Sequence, residues 1–127
     1  MNEQKMDRRT LLKAATVLAA TGTSKNIAGA GSVSGTNVAL SATGTVGTSA
    51  GSRLATVAGT LAANGSSVFV SETDDVTLNT VNSITNGATT TYDLTAGGTI
   101  TVTGSAVGGG TNTYLAATGT SKNIAGA

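Results

Sequence analysis

Residues 68–76 read VFVSETDDV and residues 92–100 read YDLTAGGTI. Each run opens on an apolar residue, repeats one two places on, passes through small and turn-forming residues, and returns to an apolar residue eight positions after its start, at Val76 and Ile100. Period-two alternation running into a short arc predicts a brief strand, a bend and the start of another strand. Two further runs align with this pair: VALSATGTV at 38–46, which returns at Val46, and YLAATGTSK at 114–122. The starts, Val38, Val68, Tyr92 and Tyr114, lie 30, 24 and 22 residues apart. A spacing of about 24 residues suits one circuit of a β-solenoid, in which successive coils stack about 4.8 Å apart.

A longer repetition frames these runs. Residues 18–30, LAATGTSKNIAGA, recur letter for letter as residues 115–127, an offset of 97 residues. Four coils averaging about 24 residues fill that offset. The duplicated stretch therefore reads as the seam of a tandem array.

Composition agrees. The chain of 127 residues has 18 Gly, no Pro, Cys, His or Trp, and three aromatic residues, Phe69, Tyr92 and Tyr114. Without Cys or His there is no thiol nucleophile, disulfide, imidazole base or zinc site of the usual kind. Ala, Val and Thr bury little area each, so stability has to come from regular small contacts and backbone pairing. Low charge and abundant β-branched residues argue against disorder.

After Gly31 short β-type runs alternate with Gly44, Gly47, Gly51, Asn64-Gly65, Asn86-Gly87, Gly97-Gly98 and Gly108 to Gly110, all read as turns. The expected fold is all-β, a right-handed parallel β-helix of about four coils over residues 31–127. The alternative is a small antiparallel β-sandwich, which turn signals at this density also permit.

Residues 1–30 read as an export leader. They hold five basic residues against two acidic, whereas the remainder holds two against four. Arg8 and Arg9, followed by Leu11, Leu12 and Lys13, resemble a twin-arginine signal; the mildly apolar AATVLAA follows from Ala14, and Ala28-Gly29-Ala30 supplies a small-x-small cleavage site. Cleavage after Ala30 would leave residues 31–127, one 97-residue period. No apolar stretch approaches the ~20 residues of a membrane span. The absence of a basic stripe beyond the leader argues against nucleic acid as a partner.

The runs at 80–120, TVNSITNGATTTYDLTAGGTITVTGSAVGGGTNTYLAATGT, and at 36–51, TNVALSATGTVGTSAG, resemble repeats of filamentous-haemagglutinin-like adhesins and autotransporter passengers. That resemblance covers residues 31–127. It implies a large-family β-helix architecture and an extracellular adhesive or structural stalk at the cell surface, with a host-surface protein or glycan as partner.

Little here carries chemistry. Glu72, Asp74 and Asp75 form the one acidic cluster, and Asp93 is placed one coil on; together they make a candidate calcium site. No catalytic residue and no cofactor is expected. The expected function is a non-enzymatic structural or adhesin-like repeat protein that associates with itself through open solenoid ends. Two alternatives remain: a pilin-like subunit that pairs by strand donation, and a polysaccharide-active β-helix enzyme working through Asp74 and Asp75.

Overall fold

The computed structural model describes residues 15–104 and 107–126. Arg8, Arg9 and Lys13 lie outside the described residues. Nine strands make up the described chain: β1 (Thr16–Ala20), β2 (Ser32–Ala42), β3 (Thr45–Val46), β4 (Leu54–Glu72), β5 (Val76–Leu78), β6 (Gly87–Ala96), β7 (Ile100–Val102), β8 (Asn112–Ala117) and β9 (Ile124–Gly126). Every strand pairing is parallel. Such ladders coil the chain into a β-solenoid and exclude the antiparallel sandwich.

One column of paired residues runs the full height: Thr16, Val38, Leu61, Leu78, Val102 and Gly126. Its five steps are five turns, one more than the aligned runs predict, because residues 16–30 form a coil of their own below β2. A second column holds Ile27, Val46, Val68, Tyr92 and Thr113. β4 belongs to both ladders: residues 55–64 lie on β2, residues 64–72 lie beneath β6, and the register shifts at Gly65 to Ser67 where the strand bends. Asn64-Gly65 is therefore part of a strand and not a turn.

Alternation decides what faces inward. Val38, Leu40, Leu61, Ala63, Val68, Val70, Leu78, Leu94 and Ile100 fill a narrow interior, and Tyr92 is its one aromatic side chain. The predicted stacking of residues 68–76 under 92–100 holds: Val68 pairs with Tyr92, Val70 with Leu94 and Val76 with Ile100. The other two alignments are corrected. Tyr92 pairs with Thr113, so the run from 114 is one residue out of step and Tyr114 faces solvent while Leu115 packs on the core. A slip of one residue exchanges the faces of a strand. Residues 38–46 sit at a different corner, with Val38 on Leu61 and Val46 on Val68.

The same distinction separates the duplicated stretches. In the first copy Leu18 pairs with Leu40 and Ile27 with Val46; in the second Leu115 pairs with Leu94 and Ile124 with Ile100. Both run from a strand through an arc with a serine at positive φ (Ser24 53°, Ser121 59°), into the isolated bridge at Ile27 in the first copy and into β9 in the second; Gly22 is at φ 100°, whereas Gly119 is not at positive φ. Yet the first copy steps from the full-height column to the second column, and the second copy steps the opposite way. An offset of 97 residues does not return the chain to the same place on the coil.

Two excursions thicken the wall. Residues 79–86 lay Val81 and Ile84 over Ala39 and Ala62, which point outward from the pleat yet are fully buried. Residues 47–53 bring Arg53 against β6, described below. The register makes a direct prediction. Tyr92→Ala should cost about 3–5 kcal/mol, as core aromatic truncation does, and Tyr114→Ala less than about 0.5 kcal/mol, as read from urea denaturation.

Candidate functional site

An open groove of about 680 Å³ runs along one flank. Its wall is built from stacked small residues, Gly35, Gly59 and Gly98 among them, with Asp74 and Asp75 at mid-height and Lys122 at the upper end. The groove exists because three coils turn sharply here. β4 ends at Glu72 and β5 begins at Val76, so residues 73–75 make the whole bend. Gly98 lies directly over that bend, where a Cβ would run into the amide of Asp75.

Asp75 is exposed, and its Oδ1 accepts the Thr99 N–H from the next coil at 2.8 Å. That bond, with the Lys122 ammonium 3.5 Å away, holds the carboxyl below its ordinary value. Glu72 is different. It follows Val68 and Val70 at period two and so points into the core, where it is 2% exposed. Its Oε2 accepts the Thr56 hydroxyl at 2.5 Å and its Oε1 accepts the Ala58 N–H at 2.9 Å. Burial pushes this carboxyl above its ordinary value, against the pull of those two bonds and with help from neighbouring Asp74.

Asp93 is on the opposite side of the story. It alternates outward between Tyr92 and Leu94 and is covered by the 47–53 excursion. Arg53 Nη1 donates to Asp93 Oδ1 at 2.7 Å and to its carbonyl at 3.2 Å. The four residues proposed as a calcium site are thus divided among a core carboxyl, a flank and an ion pair. Among the described residues no three or more acidic side chains are grouped to hold a metal ion. Ala28 and Ala30 are exposed on the link between Ile27 and β2.

Three structurally decisive polar residues escaped the sequence reading: Thr56, Arg53 and Asn86. Asn86 is buried. Its Oδ1 accepts from the Ala63 N–H (2.9 Å) and the Tyr92 hydroxyl (2.6 Å), and its Nδ2 donates to the Leu61 carbonyl (2.9 Å). Burial raises the Tyr92 hydroxyl far above its ordinary value, so it acts only as a neutral donor. Asn86-Gly87 had the look of a turn, and nothing local distinguishes it from one. The inward position of Glu72, by contrast, could be read from the alternation.

No protein-family model matches the chain, and no curated protein or solved structure is significantly similar to it.

The groove offers stacked backbone, hydroxyls and a few exposed charges, a surface for weak polar contacts. The buried carboxyl of Glu72 in the core sets a pH dependence. Because the folded state holds Glu72 above its ordinary value, its favourable contribution is complete below the ordinary carboxylate range and is lost as pH rises through the folded value. Glu72→Gln should therefore gain stability relative to the natural chain on going from about pH 4 to about pH 7. Urea midpoints at the two pH values check this, and parallel profiles would show the carboxyl to be ionised at no cost.

Proposed function

We propose that this chain is a non-enzymatic structural element of an exported, adhesin-like surface protein, and that it associates with itself end to end. The observation that carries the reading is the pair of open solenoid ends. Among the described residues β1 pairs only with β2, and β8 and β9 pair only with the strands below them. Each outer edge presents unpaired parallel backbone, a template for another strand. Of the four exposed large apolar side chains among the described residues, three lie there, Val17 at one end and Tyr114 (56%) and Ile124 (49%) at the other, while Val57 lines the groove.

An export route rests on the order of Arg8, Arg9, the apolar run and Ala28-Gly29-Ala30. No helix among the described residues is long and apolar enough to cross a membrane. Enzymatic action on polysaccharide finds little support: Asp75 in the groove and Glu72 in the core are both committed to holding coils together. The groove suits contact with a glycan or a host-surface protein better than turnover.

Light scattering and negative-stain microscopy of the purified chain over a concentration series test the reading. Elongated, concentration-dependent assemblies are expected. A monodisperse monomer at every concentration would overturn it.

A further inference from the structure

The first duplicated copy does a specific job for the coil above it. Thr43 N–H donates to the Ala20 carbonyl (3.1 Å), Gly44 N–H to the Lys25 carbonyl (2.6 Å), Thr45 N–H to Asn26 Oδ1 (2.8 Å) and Gly47 N–H to the Ile27 carbonyl (2.8 Å). In return Ile27 N–H reaches the Thr45 carbonyl (2.9 Å) and Lys25 N–H reaches Thr43 Oγ1 (2.9 Å). Residues 16–27 thus close the lower edge of residues 38–46.

The second copy has the same sequence and a similar arc, with Ser121 at positive φ like Ser24 although Gly119 is not at the positive φ of Gly22, and alternation turns the same backbone groups toward the open end. Its Asn123 carbonyl accepts the Ile100 N–H from below (2.9 Å), and its Asn123 N–H reaches Thr99 Oγ1 (3.4 Å). Alternation along the strand then turns the backbone groups of Lys122 and Ile124 upward. These are the counterparts of Lys25 and Ile27, the residues whose backbone binds the coil above the first copy. The upper end of the molecule is therefore a duplicate of the edge that residues 38–46 already bind.

We infer that two chains join by exchange: residues 112–126 of one chain take the place of residues 16–27 beneath residues 38–46 of a second chain. The inference rests on the end-to-end association proposed above and specifies its register. Leu115 then stacks under Leu40 of the second chain, and Ile124 under its Val46. The first copy acts as a built-in competitor, occupying each chain's acceptor edge until it is displaced or cut away at the exposed Ala28-Gly29-Ala30 link. The half-step between the two copies is also accounted for. When the second copy replaces the first, the next chain turns about the solenoid axis so that both ladders continue without a missing strand.

Cysteine cross-linking of full chains tests the register, because the natural chain has no Cys. Ala19 pairs with Ser41, and Ala116 is the counterpart of Ala19. Neighbouring parallel strands bring paired Cα atoms within disulfide reach. One full chain carries Ser41→Cys, another Ala116→Cys, and a third Ala19→Cys. Under mild oxidation the mixture of the first two should form a disulfide between chains about tenfold more readily than the mixture of the last two, the ratio that about 1.4 kcal/mol of preference gives. An excess of the peptide LAATGTSKNIAGA should suppress it, and Leu115→Asp with Ile124→Asp in the donor chain should abolish it. Preferential linkage of positions 19 and 116 would mean that intact ends stack coil on coil, overturning exchange while leaving association in place. Assemblies without either linkage would overturn the register, and absence of any assembly would overturn association as well.

Discussion

Along the ladders of this solenoid, backbone amides and carbonyls find their partners on the coil above or below, and a group left buried and unpaired costs roughly 1–3 kcal/mol. Regular coils meet the demand automatically. These coils are not regular: the full-height column advances by 22 or 23 residues in its first steps but by only 17 between Leu61 and Leu78. The short coil cannot place strand over the whole of β4, and two side chains make up the shortfall. Glu72 supplies an acceptor for the Ala58 N–H, and Asn86 supplies one for the Ala63 N–H and a donor for the Leu61 carbonyl. Among the described residues no buried side-chain nitrogen or oxygen is left without a partner. The polar core residues are substitutes for missing backbone, which explains why they sit where the ladder is interrupted.

The same need shapes the corners. Asn26 Oδ1 takes the Thr45 N–H at one bend, and Asp75 Oδ1 takes the Thr99 N–H at another. In each case a short side chain bridges two coils where the backbone has turned out of ladder geometry. Arg53 works across the outer wall, its guanidinium reaching from its own excursion to Asp93 two coils along the chain. The acidic side chains among the described residues are thereby largely consumed in architecture. That leaves the small-residue groove and the open ends as the surfaces free to meet another molecule.

Much of the fold was legible because alternation and arc residues are local signals. The stack of 68–76 under 92–100 follows from apolar positions eight apart, and the structure keeps it. The failures have one cause. Aligned runs identify the strand and arc motif but not which corner of the coil it occupies, so residues 38–46 were assigned to the wrong column and Tyr114 to the wrong face. The strands at 16–20 and 54–63 carry too many Ala, Thr and Gly residues to stand out from their linkers. Asn86 was invisible for a deeper reason: its role depends on a coil being short, and coil length is a property of the whole winding. Which acidic side chains come together was equally illegible, since neighbours along the chain or one coil apart can face the core, the flank or the outer wall.

The duplicated thirteen residues bring these points together. Identical sequence yields a similar arc, with a serine at positive φ in both copies but a glycine at positive φ only in the first (Gly22, not Gly119), at two corners that face different neighbours. Most of its shape is thus kept between two settings, with the glycine φ adjusting to the neighbouring coil. Residues 41–46 and 95–100, SATGTV and TAGGTI, are similar enough in shape that the one arc fits on either side of the chain's winding order: below the first, and above the second. An arc with both of these partners within one molecule has the two contacts that a joint between molecules would require. Among the described residues the two copies divide those contacts between them, each leaving one edge open.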